Sequence, residues 1–418
     1  MNEVAFVVQR YGEGVTGGSE SLARTVAERL ARDYRITVFT SCARDYVTWR
    51  NELPEGLSRL GGVEVRRFRS ERERDLAGFN AFAEPLYERA LRPATEAATA
   101  GGATPGGPAP PTLAEEREFL RLQGPEVPEL VAALRAEQAR FTAFVFFTYL
   151  YYPTYWGLAA PEIAARAALV PTTHDEPPLR FSVYREVFAR PRAFGFLTPA
   201  EQALVRRRFD LGGRASVLAG MGVDVEEPLP PGEFRSRHRL ERPYAIYAGR
   251  IDAGKGCADM LAFHDRYRRE KADPLELVLI GRLAMAEPRQ PGVRYLGFLS
   301  EREKARALAD ARVVVCPSPF ESLSIALLEG FALGTPGLVN ARSEVLEEHA
   351  LRSNAALYYE DADEYAEAMD LLSRDGSLRA ALGESGRRYV EAEYRWDVVL
   401  DRWRELIRSA AAGGSTVP

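Results

Sequence analysis

The sequence predicts an α/β protein of two doubly wound, Rossmann-like domains, on three observations. Short β-branched and aromatic runs alternate with amphipathic helical stretches along the chain, the pattern of parallel sheets covered by helices. The pattern is interrupted at the proline-rich EEPLPPGEF of 226–234 and then begins again. A length of 418 residues exceeds one ordinary core and suits two domains of roughly 200 residues each.

The elements follow in order. Val4–Gln9 reads as a strand and Glu20–Asp33 as a helix, with Leu22, Val26 and Leu30 on one face. Further strands are expected at Ile36–Thr40, Val63–Phe68, Ala143–Thr148, Leu169–Thr173, Phe194–Thr198 and Ser216–Ala219. Beyond the link, strands are expected at Tyr244–Ala248, Leu275–Ile280, Val293–Leu296, Val313–Pro317 and Gly337–Asn340. The stretch 93–111, rich in Ala, Gly, Pro and Thr, cannot bury a core and is read as a surface insertion without chemistry. Near the end, EYRWDVVLDRWRELI (393–407) spaces Trp396, Val399, Trp403 and Ile407 for one apolar helical face. The domains are therefore set at 1–222 and 223–394. Two such units in tandem imply a cleft, with ligands outside the carboxyl ends of the strands.

Composition narrows the class. Hydrophobic residues at 46% and charged residues at 28% are those of a globular chain. Three cysteines far apart in sequence form neither a disulfide framework nor a metal-spaced set, which fits a reducing compartment. The N-terminus lacks the basic start and apolar run of a signal peptide, and no stretch reaches the ~20 apolar residues of a membrane span. The expected location is the cytoplasm. A net charge of −5 gives no reason to expect nucleic acid. Only Lys255, Lys271 and Lys304 are lysines among 55 basic residues, so each retained lysine invites a reason.

After the first strand, Gly12-x-Gly14-x-x-Gly17 matches a dinucleotide fingerprint. That reading also requires an acidic residue at the tip of the second strand to hold the ribose. The second strand ends Val38-Phe39-Thr40-Ser41-Cys42, without one, so NAD is disfavoured. The helix starting near Ser19 would still point N–H groups at phosphate or another electronegative oxygen; alternatively the glycines only form a turn.

Two segments of the second half are more specific. YAGRIDAGKG (247–256) leaves a strand and enters a helix, placing Arg250 and Lys255 where they can hold a pyrophosphate, the one as a fork and the other as a point charge. A solvated charge pair is the alternative. In PSPFESLSIALLEGFALGTP (317–336) a strand leads to Glu321, and a helix is expected from about Ser322. Glu329, eight residues on, would then lie about 12 Å further along the axis, roughly the reach from a hexose ring to a nucleotide ribose. Each carboxylate could accept from vicinal hydroxyls, with the helix N-terminus between them facing a diphosphate. The alternative is a helix-capping Glu321 and a solvated Glu329.

GRIDAGKG followed by the E-x7-E of PSPFESLSIALLEGFALGTP resembles the retaining glycosyltransferases of the GT-B fold, family 4, also called glycosyltransferase group 1. GVTGGSESLARTVAERLA is similar to that family's glycine loop and first helix, and PTTHDEPP (171–178) to its histidine segment. The resemblance covers almost the whole chain. It implies a GT-B fold, with 1–222 binding the acceptor, 223–394 a nucleotide sugar, and the helix 395–410 returning to complete the first domain. It implies catalytic roles for His174, near the reacting carbon, and Glu321, on the transferred sugar. Donor binding would fall to Gly17, Gly18, Arg250, Lys255, Ser322, Leu323, Ser324 and Glu329, the last on the ribose.

The implied reaction is sugar transfer with retention, without an obligatory metal and with no cofactor beyond a nucleoside-diphosphate sugar, UDP- or GDP-linked. The acceptor would be a carbohydrate, a lipid-linked or a small molecule, in surface polysaccharide or glycoconjugate synthesis. A departure stands at Ser322-Leu323-Ser324, where the family often has small glycines, and it touches donor identity. Other readings are a sugar-nucleotide epimerase of the same architecture and a non-catalytic nucleotide-sugar-binding protein. The aromatics from Tyr149 to Trp156 offer sugar stacking or plain packing. Arg185, Arg190, Arg192 and Arg206–Arg208 offer peripheral contact at the inner membrane face or a solvated surface.

Overall fold

A computed structural model describes residues 1–91, 109–224 and 232–412. The expected insertion at 93–111 and link at 226–234 fall largely outside the described residues. The chain divides into two compact units, Met1–Ala219 with Leu400–Pro418, and Gly220–Val399. The first boundary thus lies three residues before the expected 222, and the terminal helix runs Trp396–Ala411 with its first turn in the second unit.

The first unit holds eight strands: β1 (Glu3–Val7), β2 (Arg35–Ser41), β3 (Gly56–Leu60), β4 (Val63–Phe68), β5 (Ala143–Phe147), β6 (Ala167–Val170), β7 (Ala193–Phe196) and β8 (Ala215–Leu218). Their order across the sheet is β3-β4-β2-β1-β5-β6-β7-β8. All pairs are parallel except β3 with β4. β1 and β5 are continuous apolar runs because helices cover both sheet faces. β3 was not legible in the sequence. Its GLSRL is half-exposed at the sheet edge and lacks an apolar alternation, although Gly61 and Gly62, at φ 56° and 81°, form the tight turn that Gly-Gly between two strands announces.

The second unit holds β9 (Tyr244–Ala248), β10 (Glu276–Ile280), β11 (Val293–Tyr295), β12 (Val313–Cys316), β13 (Gly337–Asn340) and β14 (Ala356–Tyr359). The order β11-β10-β9-β12-β13-β14 runs outward on both sides of β9 and β12, the doubly wound arrangement. The sense in which successive strands are added reverses between the parallel neighbours β1 and β5 in one sheet and between β9 and β12 in the other. At these switch points the loops leaving neighbouring strands diverge to opposite faces and leave a crevice. The terminal helix packs on the first unit: Trp403 is fully buried with its ring stacked on Phe147 at 5.8 Å.

Candidate functional site

At the first switch point, β1 delivers the chain to the glycine loop and the helix Gly18–Leu30. Gly17 sits at φ 151°, and a Cβ there would lie 2.2 Å from Glu20 Oε2, so only glycine fits; beside Gly18 there is open space. The sequence reading missed what builds this loop. Arg10 and Glu20, both nearly fully buried, form a two-pronged ion pair at 2.6 and 2.9 Å. Gln9 donates to the same Glu20 oxygen at 2.9 Å, and Arg10 donates to the carbonyls of Thr16 and Arg44. This helix therefore begins with a carboxylate already in its first turn, and the ion pair brings no net positive charge. The loop suits neutral hydroxyls better than a phosphate.

Beyond β6 the chain reaches His174, whose side chain is one-third exposed and whose Nε2 lies 3.3 Å from Glu176 Oε2. The other Glu176 oxygen accepts from the buried Tyr149 hydroxyl at 2.8 Å, so a packed core residue orients the ring through one carboxylate. Thr148 and Thr172, just past the ends of β5 and β6, hold φ of 66° and 50°, and their hydroxyls meet at 3.1 Å. Left-handed threonines cost of order 1–3 kcal/mol each and persist only where the surroundings enforce them, a feature that concentrates at functional sites. The aromatic run after β5 is core: Tyr149, Tyr152 and Tyr155 are buried, and Tyr152–Gly157 is helical.

Glu201 fixes the His174 segment from below. Fully buried, it accepts from the backbone N–H of Thr173 at 2.7 Å, from the Thr173 hydroxyl at 3.1 Å and from Leu197 N–H at 2.7 Å, joining the loops after β6 and β7. Thr198-x-x-Glu201 was the sequence signal, a Thr N-cap with Glu at the third helical position. Burial pushes the Glu201 carboxyl up to about 7 from its ordinary 4.5, against the downward pull of its N–H donors and of His174. Between these values the folded chain holds a proton that the unfolded chain lacks. The resulting stability is complete below pH 4.5 and lost as pH rises through about 7. Glu201→Ala, which orphans two buried N–H groups, is expected to destabilise by about 2–3 kcal/mol. Melting at pH 5 and pH 8 checks both points, since the penalty should be larger at pH 5.

The second switch point assembles the charged residues. After β9, Asp252 accepts from Lys255 N–H at 2.9 Å, caps the turn Ala253–Lys255 and pairs with Arg250. Gly256, at φ 70°, lets this loop press against the loop leaving β12; a Cβ there would be 2.2 Å from the Pro317 carbonyl oxygen. That contact places Lys255 Nζ 2.8 Å from Glu321 Oε1, with both side chains partly buried. Two residues expected to touch different parts of one ligand are here each other's partner.

The helix expected from Ser322 begins instead at Ile325. Ser324 holds φ 63°, and Leu323 is buried with its carbonyl accepting from His349 Nε2 at 2.8 Å. Burial holds His349 down to about 4, so the ring is neutral, and its Nδ1 accepts from the Tyr389 hydroxyl at 3.1 Å. The segment 321–324 is thus a pinned turn. The helical rise separating Glu321 from Glu329 applies only from Ile325, about 6 Å rather than 12 Å. Like the helix Gly18–Leu30 it has no side-chain cap, but unlike that helix its first turn holds no acidic residue. Of the two helix starts at switch points, this one suits an anion. Glu329, half-buried in its second turn, pairs with Lys304 Nζ at 2.8 Å. The scarcity of lysine that drew attention to Lys255 applied equally to Lys304.

No helix among the described residues is long and apolar enough to cross a membrane. Residues 232–389 match the family model described as glycosyl transferases group 1. The alpha-maltose-1-phosphate synthase of Mycobacterium tuberculosis is 27% identical over 216 residues, 46% of this chain and 56% of that protein. The GDP-mannose-dependent alpha-(1-6)-phosphatidylinositol monomannoside mannosyltransferase of the same organism is 27% identical over 210 residues, 45% of this chain and 54% of that protein. The chain therefore spans about half the length of the curated relatives it matches. Among solved structures, the sucrose-phosphate synthase of Thermosynechococcus elongatus superposes with a TM-score of 0.69 at 18% identity, covering 99% of this chain and 100% of that one. With its two doubly wound sheets the chain has the GT-B fold, and residues 232–389 are the part of it that is similar to glycosyl transferases group 1.

Proposed function

We propose that this chain is a retaining glycosyltransferase that takes a sugar from a nucleoside-diphosphate sugar, without an obligatory metal, in glycoconjugate or polysaccharide synthesis. One observation carries the donor site: at the β9/β12 switch point, Lys255 lies beside Glu321 ahead of a helix start that is uncapped and free of acidic residues in its first turn. A diphosphate there meets backbone N–H groups at 322–325 and two cations, Arg250 and Lys255. Glu329 accepts from the ribose hydroxyls, and Glu321, released from Lys255 as the phosphate takes the ammonium, accepts from the sugar. The second unit thus binds the donor and the first the acceptor.

The resemblance alone supports the remaining parts: His174 near the reacting carbon, Gly17 and Gly18 offering backbone, and the leaving phosphate helping to deprotonate the acceptor on the same face. The names of the matched mycobacterial proteins, a synthase of a sugar phosphate and a GDP-mannose-dependent transferase, support a sugar-nucleotide donor and leave the base open between UDP and GDP.

Thermal melting with UDP, GDP, ADP, TDP and NAD tests this reading. A ligand at 100 times its Kd stabilises by about 2.7 kcal/mol when it binds only the folded state. One nucleoside diphosphate is expected to raise the melting temperature selectively; a shift with NAD alone would overturn the proposal in favour of the fingerprint at Gly12.

A further inference from the structure

Lysine is so rare in this chain that its placement can be read residue by residue. Of three lysines among 55 basic residues, Lys271 lies at 2.5 Å from the exposed Glu367. The other two take the two glutamates of E-x7-E: Lys255 pairs with Glu321 and Lys304 with Glu329, each at 2.8 Å. Arginine is the partner of most other ion-paired carboxylates among the described residues, as in Arg10–Glu20, Arg66–Glu137 and Arg404–Asp33, and its wide fork would engage both oxygens of one carboxylate. A compact ammonium takes one oxygen and leaves the second to another donor. The Lys304–Glu329 bond uses Oε1 alone.

The surroundings make this pairing consequential. Lys304 projects from the helix Glu301–Asp310 and is held from the other side by Glu301 at 2.5 Å, so its ammonium is fixed between two carboxylates. Three charged groups act on Glu329: Lys304 across the helix pair, Glu301 beside it and Asp224. Burial pushes the Glu329 carboxyl up; Glu301 and Asp224 push the same way, and Lys304 alone opposes them. A carboxylate that accepts from two neighbouring hydroxyls must be ionised, because a protonated carboxyl spends one oxygen as a donor.

We propose that Lys304 is a positioning residue for donor selection: its ammonium holds Glu329 charged and turned so that the remaining oxygen accepts from the vicinal hydroxyls of a nucleotide ribose. This rests on Glu329 being the ribose ligand, and it assigns the discrimination between ribose and deoxyribose to a residue of the neighbouring helix, outside the E-x7-E segment itself. Glu301, four-fifths exposed, only steadies the ammonium.

The test is titration calorimetry on the full chain with UDP and GDP and their 2′,3′-dideoxy forms, between pH 5.5 and 8, for the wild type, Lys304→Met, Lys304→Arg and Glu301→Gln. The wild type is expected to prefer the ribonucleotide about tenfold. In Lys304→Met, loss of the opposing charge lets Glu329 take a proton more readily, so the preference should fall, and fall further at the acidic end of this range than at the basic end. Lys304→Arg should restore most of it, and Glu301→Gln, which leaves the fold's interior untouched, should keep it at every pH. Equal weakening of ribo and dideoxy forms by Lys304→Met, or an unchanged preference, would overturn the proposal. A wild type that binds a nucleoside diphosphate without distinguishing the two forms would instead overturn the role of Glu329, and one that binds none would overturn the donor site itself.

Discussion

Trp403→Ala is expected to destabilise the first unit by about 3–5 kcal/mol, the cost of removing a buried indole and leaving a cavity. Trp403 is fully buried, stacks on Phe147 of β5, and sits in a row with Leu406, Ile407 and Ala410, all buried. The row fits the sheet closely: a Cβ on Gly195 of β7 would lie 2.5 Å from Leu406 Cδ2. At roughly 2–4 °C per kcal/mol for a unit of this size, melting should fall by roughly 6–20 °C. Hydrogen exchange reads the location, because the amides of β5 and β7 should lose protection first. A melting temperature within about 2 °C of the wild type would show that the last helix contributes little to this unit.

Removing either anchor of the donor site should weaken nucleotide binding by about 10- to 150-fold, the worth of a charge-assisted hydrogen bond of about 1.5–3 kcal/mol. The two variants should differ in kind. Lys255→Ala removes a phosphate ligand and should weaken binding of inorganic pyrophosphate as well as of UDP or GDP. Glu329→Ala acts at the ribose and should leave pyrophosphate binding unchanged. Isothermal titration with the two probes separates them, and full affinity for the nucleotide in both variants would remove these residues from the site.

The units and most strands were legible because burial on both sheet faces writes itself into the chain as continuous apolar runs. Val63–Phe68, Tyr244–Ala248 and Gly337–Asn340 have the bounds their residues predict. Half-buried elements carry no such mark, which is why β3 was missed, and β14, whose ALYY is only partly buried, was missed too. The helix start before Glu329 was misplaced for a different reason. Nothing local to Ser322-Leu323-Ser324 announces the turn there, because Leu323 is held by His349, 26 residues further along the chain.

Sequence by itself determined the alternation, the doubly wound class and which loops carry glycine, histidine and the acidic pair, since each of these rests on neighbours within a few residues. Only the tertiary structure decided who holds whom: Arg10 with Glu20, Glu201 under Thr173, Lys255 with Glu321 and Lys304 with Glu329. Composition could mark the lysines as unusual without naming their partners. The partners come from the order β11-β10-β9-β12-β13-β14, in which parallel pairing and helical crossovers bring distant loops to one end of a sheet. Charge and burial then act over ångströms in space, where separation along the chain no longer counts.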